Sequence, residues 1–386
     1  MKHFVAKIYI DNQLIESLGF KGKLFGINLF QDPWKCDMAV IDLWNSQKTF
    51  LDSNIIRERA ILDIWLGIGG PLKYMGRYIL QKPKFGFPEK NAPIIRLIGL
   101  DESSKLKEKG EKRNQFSNML DSDIVTSIAA EYGLITDITP TLELRNQESQ
   151  LNETDLELVA RLAHRNGYLF YVEDGTLHFH PIRFENTNIA LNYGNDEKNA
   201  LFEFWPEKNL LRTASQFHSS FLDRDSGELV TNISKGTPDI IETQDKARYP
   251  DYKSLKELLI QRPTKYEQGI RNLFSFPSVD AFLKTREQDD SRFVVGWGKA
   301  TGNPKITARK IITLKGLGHL SGYYYIESAS HIYDDVRGYI VEFIGTKSRV
   351  GPLRAIPSSV TKGDQTTQIN PGQEIQPEII NEVNYD

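Results

Sequence analysis

The chain has 386 residues, 39% of them hydrophobic and 26% charged, with a formal net charge of -3 and a single cysteine. That length exceeds what one core fills, roughly 250 to 300 residues, so more than one domain is expected, and the apolar content excludes a disordered chain. The acidic balance argues against nucleic-acid binding driven by counterion release, and Cys36 alone can form neither an intramolecular disulfide nor a four-ligand zinc site.

The N-terminus, MKHFVAKIYIDNQ, alternates apolar and polar residues and has neither a long apolar run nor a small-residue cleavage site, so no signal peptide is expected. An uncharged apolar stretch of about 18 residues occurs nowhere, so no transmembrane helix is expected either. Across 1–105 the pattern reads as strands: Phe4, Ala6, Ile8 and Ile10 alternate, Met38, Val40, Asp42 and Trp44 share one face, and Ile61 to Leu66 and Ile94 to Ile98 are β-rich. Gly67, Gly69 and Gly70 precede Pro71 and more strand-like sequence, which predicts a turn and not a phosphate cradle.

Residues 106–200 read as an α+β unit. Lys105, Lys107, Lys109, Lys112 and Arg113 alternate with Glu108 and Glu111, as a solvated loop does, and Phe116 leads into the first helix. In DSDIVTSIAAEYG, Asp121 or Ser122 is the expected cap, Ile124, Val125 and Ile128 the apolar face, and Gly133 the stop. In NETDLELVARLAHRNG, Thr154 and Glu157 have capping-box spacing, Leu158, Val159, Leu162 and Ala163 form the stripe, and Gly167 ends the helix. Asp174-Gly175 then predicts a tight hairpin between 168–172 and 176–179.

Strand-like alternation returns over 201–235, with a turn signal at 225–227. Residues 236–290 read as an insertion of open role, with a helix predicted over 278–288. Strands dominate 291–350, and 351–386 reads as an extended, mostly acidic tail that orders on a partner.

The two β regions carry a similar segment. Gly76 and Tyr78 are followed by Ile94, Ile98 and Gly99; Gly322 and Tyr324 are followed by Ile340, Ile344 and Gly345, and the outer glycines are 23 positions apart in both. This spacing predicts a duplicated β module. Two copies per chain would let a trimer present six similar units around one axis.

Residue types that carry chemistry are present without the company they need. His178 and His180 share a strand face but have no evident third ligand, and they read as half-exposed strand histidines. Ser104 and Lys107 have S-x-x-K spacing without its accompanying motifs. Glu153 with Asp155, and Asp289 with Asp290, sit in polar sequence that favours capping and surface roles over acid–base work on glycosides. No catalytic, cofactor-binding or metal-ligating residue is therefore expected.

Three stretches, FSNMLDSDIVTSIAAEYGL (116–134), NETDLELVARLAHRNGYLFYVEDGTLHF (152–179) and the run from Arg292 to Gly345 with SGYYYIESASHIY and GYIVEF, resemble in order the baseplate hub family of contractile phage tails. That family includes the late control protein D group and the N-terminal hub part of VgrG spikes. The resemblance implies a mainly β chain with an α+β insertion, in which two tube-like β-barrels, 1–105 and 201–235 plus 291–350, are related by internal pseudo-symmetry, with smaller α/β domains beside them in a ring-forming homotrimer. It implies a non-enzymatic adaptor between a sixfold tail tube and a threefold central spike, in contact with other baseplate proteins, assembled in the cytoplasm of the producing bacterium and carried in a tail baseplate or equivalent injection particle.

Gly76, Tyr78, Gly99, Gly322, Tyr324 and Gly345 are the expected assembly residues. The chain ends soon after the second barrel, without room for a VgrG-like needle, so Gln373, Glu374, Ile375, Ile379 and Ile380 are the expected contacts of a separate spike. Two other readings, a tail-associated peptidoglycan hydrolase and a receptor- or carbohydrate-binding tail protein, would need a catalytic pair in a cleft or aromatics exposed in loops. Tyr323, Tyr324 and Tyr325 are instead predicted in a strand.

Overall fold

In a computed structural model of the chain, the described residues are 4–20, 23–32, 35–46, 54–194, 199–208, 217–222, 229–234, 265–267, 279–285 and 292–348. The first region forms β1 (Phe4–Ile10), β2 (Gln13–Leu14), β3 (Leu24–Gln31), β4 (Met38–Trp44), β5 (Ile61–Ile68), β6 (Lys73–Gly86) and β7 (Ile94–Asp101). Alternation sorts each strand into two faces: Ala39, Ile41 and Leu43 of β4 are fully buried, while Met38, Val40, Asp42 and Trp44 lie on the other side. The strands pair antiparallel in the order β3-β4-β7-β6-β5-β1, and β2 folds back on β1.

The α+β unit follows as β8 (Lys112–Leu120), α1 (Asp121–Glu131), β9 (Ile135–Ile138), β10 (Leu144–Glu153), α2 (Asp155–Asn166), β11 (Leu169–Glu173) and β12 (Thr176–His180). The capping box of α2 forms: the Glu157 carboxylate accepts from the Thr154 N–H at 2.8 Å, and Gly167 ends the helix at φ +68°. The expected cap of α1 does not form. Leu120 is its N-cap, with its N–H donating to Asp123, because Asp121 is buried inside the helix and accepts from the Arg165 guanidinium. Ile124, Val125 and Ile128 of α1 pack with Leu158, Val159 and Leu162 of α2 over Phe179 of the hairpin sheet, where β12 pairs antiparallel with β11 and parallel with β9.

The chain then runs through β13 (Glu185–Tyr193), β14 (Ala200–Lys208), β15 (Phe217–Leu222), β16 (Leu229–Ser234), β17 (Lys265–Glu267), β18 (Val294–Thr301), β19 (Lys310–Lys315), β20 (Gly322–Asp334) and β21 (Gly338–Lys347). Strands β13-β14-β18-β21-β20-β19 close back onto β13 as a six-stranded barrel. The second half of β20 also pairs with β3, which joins the barrel and the first sheet into one 13-stranded sheet over a shared core.

Hydrogen bonding departs from the sequence grouping in three places. Among the described residues no pairing joins β1 to β3, so the first sheet stays open and one barrel closes, where two were expected. β13, expected in the 106–200 unit, is a barrel strand, because its backbone pairs with β19 and β14. β15 and β16, expected in the barrel, pair with each other and with β17 in a separate sheet. From the predicted 278–288 helix, 279–285 is helical, with Val279, Phe282 and Leu283 buried. The turn at 225–227, most of the 236–290 insertion and the tail with Gln373, Glu374, Ile375, Ile379 and Ile380 lie outside the described residues. No described helix is long and apolar enough to cross a membrane.

Candidate assembly site

The six residues singled out by the repeat gather into two clusters. In β6, Gly76 has φ +121° where the β5 pairing slips a register; in β20, Gly322 has φ +131° at the strand's start. These are backbone conformations that side chains rarely allow. Tyr78 is buried against Gly99, and its hydroxyl donates to the Met75 carbonyl at 3.2 Å. Tyr324 is buried against Gly345, and its hydroxyl donates to the Leu320 carbonyl at 2.7 Å. A glycine in each partner strand lets the ring lie close to the sheet.

The likeness extends to hydrogen bonding. Leu80 pairs with Gly99 and the register slips before Lys82; Ile326 pairs with Gly345 and the register slips before Ser328. Both hairpins thus bulge at the same place, at positions 81 and 327. Two strands further, β3 slips against β4 between Leu24 and Gly26, and β14 slips against β18 between Leu201 and Glu203. Tracing pairs across each sheet places Asn28–Val40–Ile98 and Trp205–Trp297–Ile344 at equivalent positions.

Their surroundings differ. Asn28 lies opposite Ile332 of β20 and accepts from the Ser330 hydroxyl at 3.1 Å, because β20 residues 329–334 cover the edge of β3. The matching edge of β14 from Glu203 to Lys208 has no strand partner among the described residues, and Trp205 there is 70% exposed. The stretch of β6 that corresponds to 329–332, residues 83–86, pairs with β7 on one side and with no described strand on the other, and Phe87 just beyond it is 60% exposed.

A buried charge network ties the three regions together. Arg309, at φ +65°, donates to Asp37 Oδ2 at 3.3 Å and to the Asp32 carbonyl at 3.4 Å, with its guanidinium 4.1 Å from the Tyr171 ring centre. Asp37 donates its N–H to Asp101 at 2.9 Å. Burial, with the neighbouring Asp37 carboxylate, pushes Asp101 up to about 7. Burial raises Asp37 as well, against the pull of Arg309.

The other candidates of the sequence are occupied by local contacts. Ser104 is buried and donates to the Asp101 carbonyl at 2.7 Å. Lys105 pairs with Glu102, Lys109 with Glu131, and Lys112 with Asp155 at 2.7 Å. Asp155, expected at the surface, is buried, because it also accepts from the Tyr132 hydroxyl and the Gln150 amide. Glu153 pairs with Arg161. Cys36 is half-buried and burial raises its thiol. Asp289 and Asp290 lie outside the described residues. His178 and His180 do meet a third group of ligand type, Asp137 of β9, whose carboxylate Arg183 and His178 hold down at about 2.

Among known proteins, a family profile described as the Alg8 N-terminal domain matches residues 88–230, which is less than half of the chain. No curated protein sequence matches. Solved structures match over most of the length. The 43 kDa tail protein of prophage MuSo2 from Shewanella oneidensis superposes with a TM-score of 0.61 at 14% identity, covering 89% of this chain and 98% of that one. The tail protein of Neisseria meningitidis MC58 gives 0.60 at 10% identity, covering 89% and 97%. An E. coli component of the type VI secretion system, described as similar to the T4 bacteriophage tail proteins gp27 and gp5, gives 0.54 at 10% identity, covering 87% and 77%. The chain therefore has the fold of phage tail proteins and of a type VI secretion component.

Proposed function

We propose that this chain is a structural hub of a phage-tail-like baseplate, a homotrimer that presents six similar β modules to a sixfold tail tube and a threefold end to a central spike. The observation that carries the reading is the duplicated hairpin, with its common register, bulge and buried tyrosine, in a chain whose fold spans nearly the whole of two tail proteins. A non-enzymatic role fits the local contacts that take up Ser104, Glu153 and Asp155.

The same equivalence suggests how the ring closes. Within one chain, β20 covers β3 by pairing Ala329 with Gln31 through Asp334 with Gly26. The matching stretches, residues 83–88 and the β14 edge Glu203–Lys208, would pair the same way between neighbours. That register sets Lys84 against Glu207, Gly86 against the exposed Trp205, and Phe87 against Phe204. Opposite charges then face each other, and the exposed Phe87 and Trp205 fall within the seam, as suits a subunit interface. The buried glycines and tyrosines act by shaping the hairpins from within.

The test is a cysteine pair. Facing residues in an antiparallel pair have Cα atoms about 4.5 to 5.5 Å apart, within disulfide range. Lys84→Cys with Glu207→Cys, in a Cys36→Ser background, should oxidise to a closed covalent species of three chains on a non-reducing gel. Native mass measurement should give three chains for the unmodified protein. A monomer at working concentration, with no crosslinked trimer, would overturn the reading.

A further inference from the structure

We propose that Asp137, His178 and His180 form a binding site for one divalent transition-metal ion of the zinc type. The parallel pairing of β9 with β12 sets Asp137 beside His178, and His180, two residues on, shares that face. This is the one group of three such ligands among the described residues, with one donor atom from each within 4.8 Å of the others. Two imidazoles and one carboxylate suit Zn2+.

The spacing fits. Asp137 Oδ2 lies 2.9 Å from His178 Nδ1 and 3.8 Å from His180 Nε2. Donors about 2.0 to 2.1 Å from a tetrahedral zinc are about 3.3 Å from one another. The two observed separations bracket that value, so side-chain shifts of about half an ångström bring both histidines to it.

The tautomer of His180 is the second argument. Its Nδ1 is 2.7 Å from the Pro181 carbonyl, which can only accept, so the ring proton sits on Nδ1 and Nε2 carries a lone pair. That lone pair, on a residue 3% exposed, faces a carboxylate oxygen, with the Tyr171 hydroxyl at a long 3.4 Å as donor. Two acceptors face each other here, one on the buried His180 and one on the partly exposed Asp137 carboxylate, and a cation between them would satisfy both. A ring N–H held by a backbone carbonyl while the other nitrogen is presented is also how metal-bound histidines are oriented. His178 is oriented by stacking on Tyr171, ring centres 4.5 Å apart, and on binding would move its proton from Nδ1 to Nε2.

Arg183 is the competitor. Its guanidinium holds Asp137 Oδ2 at 2.6 Å and Oδ1 at 3.1 Å. Zinc would take Oδ2 and leave Arg183 on Oδ1, with water in the fourth position. The bound ion would clamp β9 to the β11–β12 hairpin, and the site does not depend on the hub reading.

The full chain, freed of metal by chelator, is titrated with ZnCl2 by calorimetry and with Co2+ by visible absorption. One saturable equivalent per chain is expected, with tetrahedral Co2+ bands. His180→Ala and Asp137→Asn should each weaken binding at least about 10-fold, and Arg183→Ala should tighten it. A plain ion-pair network predicts no uptake and a loss of stability in Arg183→Ala. If His180→Ala fails to fold, the half-exposed His178→Gln carries the test. Absence of saturable uptake overturns the proposal, and so does binding as tight in His178→Gln and Asp137→Asn as in the unmodified chain, because an ion so bound would sit away from these residues, for example on His3, His164, His218, His319 or His331.

Discussion

A methyl group at Gly99 would lie 2.9 Å from Tyr78 Cβ, and the same group at Gly345 would lie 3.4 Å from the edge of the Tyr324 ring. The first contact is with a rigid atom near the backbone, and the second is close to ordinary packing. Gly99→Ala should therefore cost about 1 to 3 kcal/mol, as overpacking does, and Gly345→Ala distinctly less, read from urea midpoints of the two variants. Asp101 makes a different prediction. Its folded value of about 7 lies above its ordinary 3.8, so between these the folded state binds the extra proton and stability falls as pH rises. Asp101→Asn should flatten the decline in urea midpoint between about pH 4 and pH 7. A slope as steep as that of the unmodified chain would show that another group carries it.

At the scale of elements, the junctions depend on few groups, and Arg309 is the main one. It leaves the β18–β19 connection, bonds Asp37 before β4 and stacks on Tyr171 of β11. Arg309→Met would leave the Asp37 carboxylate buried without its cation, and removing one partner of a buried pair costs about 3 to 5 kcal/mol. A thermal melt should show the loss, and a Tm within a degree or two of the unmodified chain would contradict it. Local elements were legible because their signals are local: Thr154 and Glu157 cap α2, and Asp174 and Gly175, at φ +50° and +71°, turn the hairpin. The start of α1 was misread because Asp121 has the chemistry of a cap but meets Arg165, 44 positions away. Asp137 was missed as a neighbour of His178 for a similar reason. Four-residue β9 reaches β12 by a parallel pairing 41 positions away, which no alternation pattern records. Strand β13 reads like its neighbours, and only its partners reveal that it closes the barrel.

At the scale of the molecule, the question is what covers the β14 edge from Glu203 to Lys208, the counterpart of β3, which has no strand partner among the described residues. The sequence carried half of the answer, since the 23-residue spacing from Gly76 to Gly99 recurs from Gly322 to Gly345, but the matched bulges and the bare edge of β14 exist only in the folded chain. In the proposed trimer a second copy would offer residues 83–88 in the register that β20 uses on β3, which would set Lys84 against Glu207. Charges directly opposite across a strand pair contribute about 0.2 to 1 kcal/mol each, and like charges there oppose pairing. Lys84→Glu should set two carboxylates face to face at three equivalent junctions of a ring, so a small local cost is tripled and the trimer shifts toward monomer in sedimentation at dilute concentration. Glu207→Lys alone should do the same by setting two cations together. Combined, the two changes restore an attractive pair with its direction reversed, and the trimer should return. Recovery in the double variant separates this pairing from general damage, because a chain that had merely misfolded would not be mended by a second substitution more than a hundred residues away.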